Sequence, residues 1–186
     1  MSKAAKRPPR PGVSAARIGE MLRVDHAGEY GAVAIYKGQQ AVFGLSKKTR
    51  AIAAQLSHME AEEQAHLDAF DDLLVARGVR PTAMTPIWNV AGYGLGVVTA
   101  LMGEKAAHAC TEAVENVIEQ HYGAQVEELK DSEPELSATF AQFREDELAH
   151  RDLAVQGGAK EAAGYPVLSA VITAGCRAAI KITEKI

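Results

Sequence analysis

The sequence predicts an all-α protein, and three observations support this fold class. Aromatic residues make up only 5% of the 186 residues, whereas Ala is abundant, and this composition favours packed helices over sandwiched strands. No segment alternates apolar and polar residues as a half-buried strand does. Segments with a helical pattern are separated by Gly, Pro and Ser residues that suit helix ends. Because 47% of the residues are hydrophobic, we expect a single folded domain over residues 14–186.

Residues 1–13 are basic and rich in Pro, and they contain no apolar stretch. A secretory signal needs an apolar segment, so this pattern excludes one. We expect a disordered tail here. A contact with anionic lipid and a remnant of a targeting sequence stay open as alternatives.

The first two helices follow from their end signals. One extends from about Ser14 to Phe43, and Gly44 is placed to end it. The next is expected to be capped by Ser46 and to continue to Arg77, where a Gly and then a Pro follow. The two segments predict an antiparallel pair joined by a short turn.

Three further helices are expected in the second half of the chain. One covers residues 104–130. Ser132 and Glu135 have the spacing of a capping box, and Pro134 suits a first helical turn, so a helix begins there and continues to about residue 156. A last helix begins near Pro166 and runs almost to the C-terminus.

An uncharged run of 23 residues, 81–103, separates the second and third of these helices. A transmembrane helix needs about 20 apolar residues, but this run also contains Pro86, Asn89 and several glycines. A membrane span, an element lying in the membrane interface and a buried soluble helix are all open. A second uncharged run, residues 162–176, has 15 residues and is too short to span. The two runs together could form one apolar surface.

The charge and the cysteines exclude other classes. The chain has 20 basic and 24 acidic residues, for a net charge of -4, so no basic excess supports a nucleic-acid binder. Two cysteines, Cys110 and Cys176, cannot form a disulfide framework. We expect reduced thiols, with Cys110 in the core.

Two Glu-x-x-His motifs carry the chemistry: Glu63 with His66, and Glu147 with His150. Residues three apart share one face of a helix, so a carboxylate and an imidazole can reach one metal ion. This is the ligand spacing of ferritin-like di-iron carboxylate bundles. The alternative is that these residues lie on solvated helix surfaces, as Glu-rich helices often place them.

An internal repeat strengthens the metal hypothesis. Glu29 precedes Glu63 by 34 residues, and Glu115 precedes Glu147 by 32. Each pair fits a helical hairpin, so each hairpin supplies one Glu and one Glu-x-x-His, the full set for two metals. Four carboxylates also balance the charge of two ferrous ions, and carboxylate oxygen with imidazole nitrogen suits iron. By analogy with such bundles, Glu63 and Glu147 bridge the metals, Glu29 and Glu115 are terminal ligands, and His66 and His150 bind one metal each.

Other polar residues surround these motifs. Either His121 or Tyr122 could hydrogen-bond near the metals or the substrate, and the alternative is an ordinary, partly buried polar pair. We expect His58, Glu60 and Glu62 to form the solvated side of the second helix, or at most to support the ligands from outside.

Five segments carry a resemblance to a known family. They are residues 24–32 (VDHAGEYGA), 80–92 (RPT and WNVAG), 109–115 (ACTEAVE), 143–150 (FREDELAH) and 174–177 (AGCR). With these segments the chain resembles the demethoxyubiquinone hydroxylases of ubiquinone biosynthesis, from about Ala16 to the C-terminus.

The resemblance implies a ferritin-like four-helix bundle with additional membrane-associated helices. It implies two iron ions per chain, held by the six ligands named above, and an O2-dependent monooxygenase that hydroxylates the ring of a demethoxyubiquinol with a polyprenyl tail. It further implies NADH as the reductant, directly or through the quinone, and in eukaryotes a partner protein that presents the lipid. The sequence has no dinucleotide-binding fingerprint. Without a long transit sequence, we expect a peripheral protein on the cytoplasmic face of a bacterial cell membrane, or on the mitochondrial inner membrane if the source is eukaryotic.

Two other functions remain open from the sequence. A ferritin-like iron-handling protein, such as a ferroxidase, uses similar ligands but has no need of a long uncharged insert. A metal-free helical scaffold at a membrane surface would need none of the six ligands.

Overall fold

A computed structural model describes residues 12–186 of the chain. The predicted tail, residues 1–13, therefore lies almost wholly outside the described residues. Within residues 12–186 the chain forms helices and no strand, which confirms the all-α class. Six α-helices follow one another: α1 Ala15–Phe43, α2 Arg50–Arg77, α3 Thr85–Leu101, α4 Glu104–Leu129, α5 Pro134–Gln156 and α6 Tyr165–Thr183.

Most helix ends lie where the sequence predicts them. The Ser14 hydroxyl accepts a hydrogen bond from the Arg17 amide at 3.2 Å and caps α1. Gly44 ends α1. Gly78 ends α2 with φ 64°, a left-handed conformation that Gly adopts without strain.

Two expected caps are wrong. Ser46 caps a short 3₁₀ turn, Lys47–Thr49, and α2 begins only after it. Ser132 forms no capping box with Glu135. Its hydroxyl instead accepts a hydrogen bond from the Val13 amide at 3.4 Å, so a contact with the distant N-terminal segment has replaced the local one.

Two helical hairpins, α1–α2 and α4–α5, form the ferritin-like four-helix bundle. Each hairpin is followed by a further helix, which packs against the first helix of that hairpin. Thus α3 lies on α1, and α6 lies on α4. The internal repeat therefore comprises three helices in each half. Because α3 and α6 lie on the α1–α4 side, the α2–α5 side is free of them.

The contact between α1 and α3 is unusually close. A Cβ on Gly96 would overlap the carbonyl oxygen of Ile35, and a Cβ on Gly38 would overlap that of Tyr93. A Cβ on Gly92 would lie 2.7 Å from the carbonyl oxygen of Gly31. The glycines of the uncharged run thus let two backbones meet, and this packing explains why α3 tolerates residues of low helix propensity.

The outer faces of α3 and α6 are apolar and exposed. Val90 and Leu101 of α3 are 73% and 71% exposed, and Val167 of α6 is 70% exposed. Trp88 Nε1 donates to Thr183 Oγ1 at 3.0 Å and joins α3 to α6. Both uncharged runs thus expose apolar side chains, and their union into one apolar surface stays a prediction.

Among residues 12–186, only α6 is long and apolar enough to cross a membrane by length and composition. Its 19 residues include Arg177 and Lys181 beyond the uncharged run. The 15-residue run itself stays too short to span, and only the whole helix, with these two basic residues, reaches the required length. The first run, by contrast, yields a helix of 17 residues.

Candidate metal centre

The six predicted ligands meet in the middle of the bundle. Each of the four central helices contributes at least one of them, and every one is at most 5% exposed. They form two groups, in each of which the ligand atoms lie within 4.8 Å of one another: Glu29, Glu63, His66 and Glu147; and Glu63, Glu115, Glu147 and His150. The expectation of a solvated helix surface is therefore wrong for all six.

Glu63 and Glu147 belong to both groups. They are the two carboxylates that the sequence assigned as bridges. Within the described residues, Oε2 of Glu63, Oε2 of Glu147 and Nδ1 of His66 are buried without a hydrogen-bond partner. Buried polar atoms of this kind are costly unless a cation or a proton satisfies them. The donor set therefore fits two cations.

The pKa values of the terminal carboxyls are raised. Burial raises the pKa of Glu29 and of Glu115 well above the usual range, and repulsion from Glu63 and Glu147 adds to it. Burial and repulsion therefore disfavour the charged form of both groups when no metal is bound, so a metal ion that binds them has to compete with protons.

The central carboxylate Glu63 behaves in the opposite way. Burial opposes its ionisation, but the close imidazoles of His150 and His66 outweigh burial and lower its pKa to about 2. Nδ1 of His150 lies 2.9 Å from Oε1 of Glu63. Burial likewise opposes the charged form of His150, yet Glu147 and Glu63 raise its pKa to about 12.

Two tyrosines bind the terminal carboxylates across the bundle. Tyr122 of α4 donates a hydrogen bond to Glu29 of α1. Tyr36 of α1 donates to Oε1 of Glu115 of α4 at 2.8 Å. Each tyrosine lies seven residues after the glutamate of its own helix. The sequence left a role near the ligands open for His121 or Tyr122 but missed Tyr36, which the same spacing in the first half would have revealed.

A carboxylate also backs each histidine. Nε2 of His66 lies 3.2 Å from Asp146 of α5, and Nε2 of His150 lies 3.0 Å from Glu62 of α2. Asp146 and Glu62 immediately precede Glu147 and Glu63, the two residues that belong to both groups. Such a partner fixes the ring orientation, so that the other nitrogen, Nδ1, faces the ligand groups. Glu62 thus contacts His150 from outside the two groups while 43% of its side chain is exposed, so both alternatives for Glu62 hold in part.

A cavity of about 400 Å³ lies beside the ligands, between α1, α3, α4 and α6. Its wall is mostly apolar and includes Ile35, Leu95 and Ile172. Glu29 and Tyr122 reach the same wall. The cavity thus connects the apolar helices α3 and α6 with one end of the ligand set.

Three further polar side chains meet near this wall. Gln125 donates to Oδ1 of Asp25 at 3.0 Å, and Nε2 of His121 lies 3.3 Å from the same oxygen. Burial raises the pKa of Asp25, while the hydrogen bond from His121 opposes this shift. His121 and Asp25 both line the cavity. The sequence had proposed His121 but not Asp25.

Residues 16–183 match the family described as "Ubiquinone biosynthesis protein COQ7". The match extends over all six helices and includes every ligand candidate. The chain belongs to this family. The COQ7 assignment confirms the resemblance that the sequence motifs indicated.

Relatives within the COQ7 family cover most of the chain. It is 49% identical over 172 residues to the 3-demethoxyubiquinol 3-hydroxylase of Rhodospirillum rubrum, a match that covers 92% of this chain and 80% of that protein. It is 42% identical over 178 residues to the mitochondrial NADPH-dependent 3-demethoxyubiquinone 3-hydroxylase of Homo sapiens, covering 94% and 80%. The Bos taurus protein of the same name is 44% identical over 173 residues, covering 91% and 78%.

The buried cysteine matches its expected role. Cys110 is fully buried, and both cysteines are free thiols. Burial raises the pKa of Cys110 to about 12, so its thiol stays protonated and unreactive.

Proposed function

We propose that this chain is a di-iron monooxygenase that uses O2 to hydroxylate the ring of a demethoxyubiquinol-type polyprenyl quinol in ubiquinone biosynthesis. Membership of the COQ7 family supports a hydroxylase of this pathway. The observation that carries the proposal is the pair of buried ligand groups sharing Glu63 and Glu147, beside an apolar cavity. A ferroxidase or a metal-free scaffold has no use for such a cavity at its ligands.

The ligand roles follow the two groups. Glu29 and His66 would hold one iron and Glu115 and His150 the other, while Glu63 and Glu147, which belong to both groups, would be shared by the two. Carboxylate and imidazole ligands suit iron and leave positions for O2. When bound, the two irons supply the activation of O2. The protein holds the terminal carboxylates through Tyr122 and Tyr36 and excludes water from the site by burial.

The substrate fits the cavity by its chemistry. A polyprenyl quinol is almost entirely apolar apart from its ring oxygens, and the cavity wall is apolar apart from a few side chains near Glu29. The ring can lie next to the ligands while the tail leaves between α3 and α6. Three relatives are named for hydroxylation of demethoxyubiquinol or demethoxyubiquinone, which supports this substrate class.

A polyprenyl quinol that enters the cavity from a bilayer requires the protein to be in contact with the membrane. The exposed apolar faces of α3 and α6 support a peripheral position with the cavity turned towards lipid. The charged residues of α6 are both basic, Arg177 and Lys181, and suit anionic headgroups. We place the protein on the cytoplasmic face of a bacterial cell membrane, or on the mitochondrial inner membrane in a eukaryote, the organelle named for the mammalian relatives.

The electron donor and the lipid partner remain proposals from the sequence. NADH is the proposed reductant, whereas the names of the mammalian relatives specify NADPH. A comparison of NADH and NADPH as donors with the purified protein decides between them. A lipid-presenting partner is proposed for the eukaryotic setting only.

One reaction tests the proposed activity. The full-length protein in mild detergent is loaded anaerobically with Fe(II), then given O2 and a short-tailed demethoxyubiquinol. We expect O2 consumption that rises with quinol and a product with one added ring hydroxyl. Protein loaded with Zn(II) is the control, because zinc has no redox chemistry. Iron-loaded protein that yields no hydroxylated product with any quinol analogue would contradict the proposal.

Asp146→Asn is expected to weaken Fe(II) binding about 10- to 100-fold, because the ring of His66 loses the carboxylate that orients it. Competition with a chelator under argon measures the affinity. Asp152→Asn is the matched control, since Asp152 is exposed on the same helix and pairs with Arg151. Equal affinities in the two variants would show that Asp146 does not support the metal.

Val90→Asp combined with Leu101→Asp is expected to abolish binding to liposomes, because two charges would enter the apolar face of α3. Liposome flotation measures binding, and the iron content should stay unchanged. Val75→Asp is the control, since Val75 is 83% exposed on α2, away from this face. Flotation of the double variant at the wild-type level would disprove the membrane role of α3.

A further inference from the structure

Asp25 is the one polar feature of the cavity wall without a complete set of partners. It is 4% exposed, and its Oδ1 already accepts hydrogen bonds from Gln125 and His121. Its Oδ2 is buried and has no partner. No other cavity-lining residue within 12–186 has a buried side-chain atom in this condition. A buried acceptor of this kind needs a donor, which a molecule bound in the cavity can supply.

Asp25 lies one helical turn before Glu29 on α1, and both residues line the cavity. Four residues advance an α-helix by about 6 Å, which is comparable to the span of one six-membered ring with its oxygen substituents. A ring that lies against Glu29 can therefore place a substituent oxygen at Asp25. The ring and not the apolar tail is the part of a quinol that meets both residues.

We propose that Asp25 selects the reduced quinol over the oxidised quinone by accepting a hydrogen bond from a ring hydroxyl on Oδ2. This inference rests on the proposed function. A quinol hydroxyl is a donor, whereas a quinone oxygen only accepts. A quinone would leave the carboxylate oxygen unpaired and facing a second acceptor, and a site built for a donor rejects a ligand that lacks one. The relatives are named for both oxidation states, so their names leave the choice open.

Asp25→Asn tests the selection with a side chain of the same shape. Gln125 and His121 hold the amide oxygen in the place of Oδ1, so the amide nitrogen takes the place of Oδ2 and becomes a donor. The variant should lose affinity for quinol and gain affinity for quinone. We expect the ratio of the two dissociation constants to change by about tenfold or more, the size of one hydrogen bond to a charged group.

The measurement is equilibrium binding under argon to the full-length protein loaded with Zn(II), which prevents turnover. The probes are a short-tailed demethoxyubiquinol, its quinone and its dimethyl ether. Asp68→Asn, an exposed site on α2, is the matched control and should leave the ratio unchanged. In the wild-type protein, the ether, which has no donor, should bind about tenfold more weakly than the quinol.

Each outcome decides the proposal. If Asp25→Asn weakens both ligands equally, Asp25 serves only to hold α1 to α4, and the selection is disproved. The wild-type ether comparison needs no variant, so a folding defect cannot mask the answer, and equal binding of ether and quinol also disproves it. If the wild-type protein hydroxylates the quinol but Asp25→Asn leaves the ratio of the quinol and quinone dissociation constants unchanged, this inference alone is overturned. If the wild-type protein neither binds nor hydroxylates a quinol, the proposed function is overturned as well.

Discussion

Glu63→Gln is expected to remove most of both irons from the chain and to reduce hydroxylation to background. Glu63 belongs to both ligand groups, so a single substitution affects both metals. The amide has no charge and offers one oxygen in place of two, so it cannot bridge two cations. The site also loses a carboxylate whose pKa the close imidazoles of His150 and His66 lower to about 2.

Metal analysis of the purified protein after anaerobic loading with Fe(II) tests this expectation, with two irons per chain expected for the wild type. Glu60→Gln is the matched control, because Glu60 lies on the same helix but contacts Gln40 and Lys37 outside both groups. The control should keep its iron and its activity. A Glu63→Gln protein that retained two irons would contradict the bridging role.

Gly96→Ala is expected to have the largest effect on stability, lowering the free energy of unfolding by about 2–3 kcal/mol or more. The new methyl group would overlap the carbonyl oxygen of Ile35, a backbone atom that cannot move without shifting α1 or α3. Because α1 also carries Glu29, such a shift disturbs the ligands as well. Denaturant unfolding of the iron-loaded protein in detergent measures the change.

Gly94→Ala provides an exacting control two residues away on the same helix. Nothing lies within 4 Å of a Cβ at Gly94. The substitution should raise stability by about 0.5–1 kcal/mol, because Ala has the higher helix propensity. If Gly96→Ala lowers the free energy of unfolding and Gly94→Ala raises it, the close contact between α1 and α3 is established as the cause. Equal effects would show that the α1–α3 contact is more yielding than the structure indicates.

The sequence predicted well which six side chains meet in the bundle, because their spacing is local. A Glu and a His three residues apart must share a helix face, and the repeat of Glu29 and Glu115 completes the set without knowledge of the tertiary structure. The same holds for helix ends such as Gly44 and Gly78, where the signal is the residue itself.

Contacts between helices were harder to predict. Nothing in the local sequence of Asp146 indicates that it reaches His66 on another helix, and Ser132 has the spacing of a cap but binds the distant Val13 amide. Asp25 belongs to the motif of residues 24–32, but the sequence does not show that its Oδ2 lacks a partner. That follows only from the positions of Gln125 and of the cavity in the folded protein. These features depend on how helices pack, which a single sequence does not encode in short-range spacing.

The division of the ligands between the two halves of the chain affects the order of assembly. Each ligand group takes side chains from both hairpins, since Glu147 joins Glu29 and His66 in one group and Glu63 joins Glu115 in the other. A three-helix half made alone can complete neither group unless it pairs with a second copy. A metal bound at either group would therefore cross-link the two hairpins, joining residues as far apart in sequence as Glu29 and Glu147, and this link could form only after the halves have docked. If the chain binds iron as proposed, a chelator should loosen the contact between the halves before it unfolds either one.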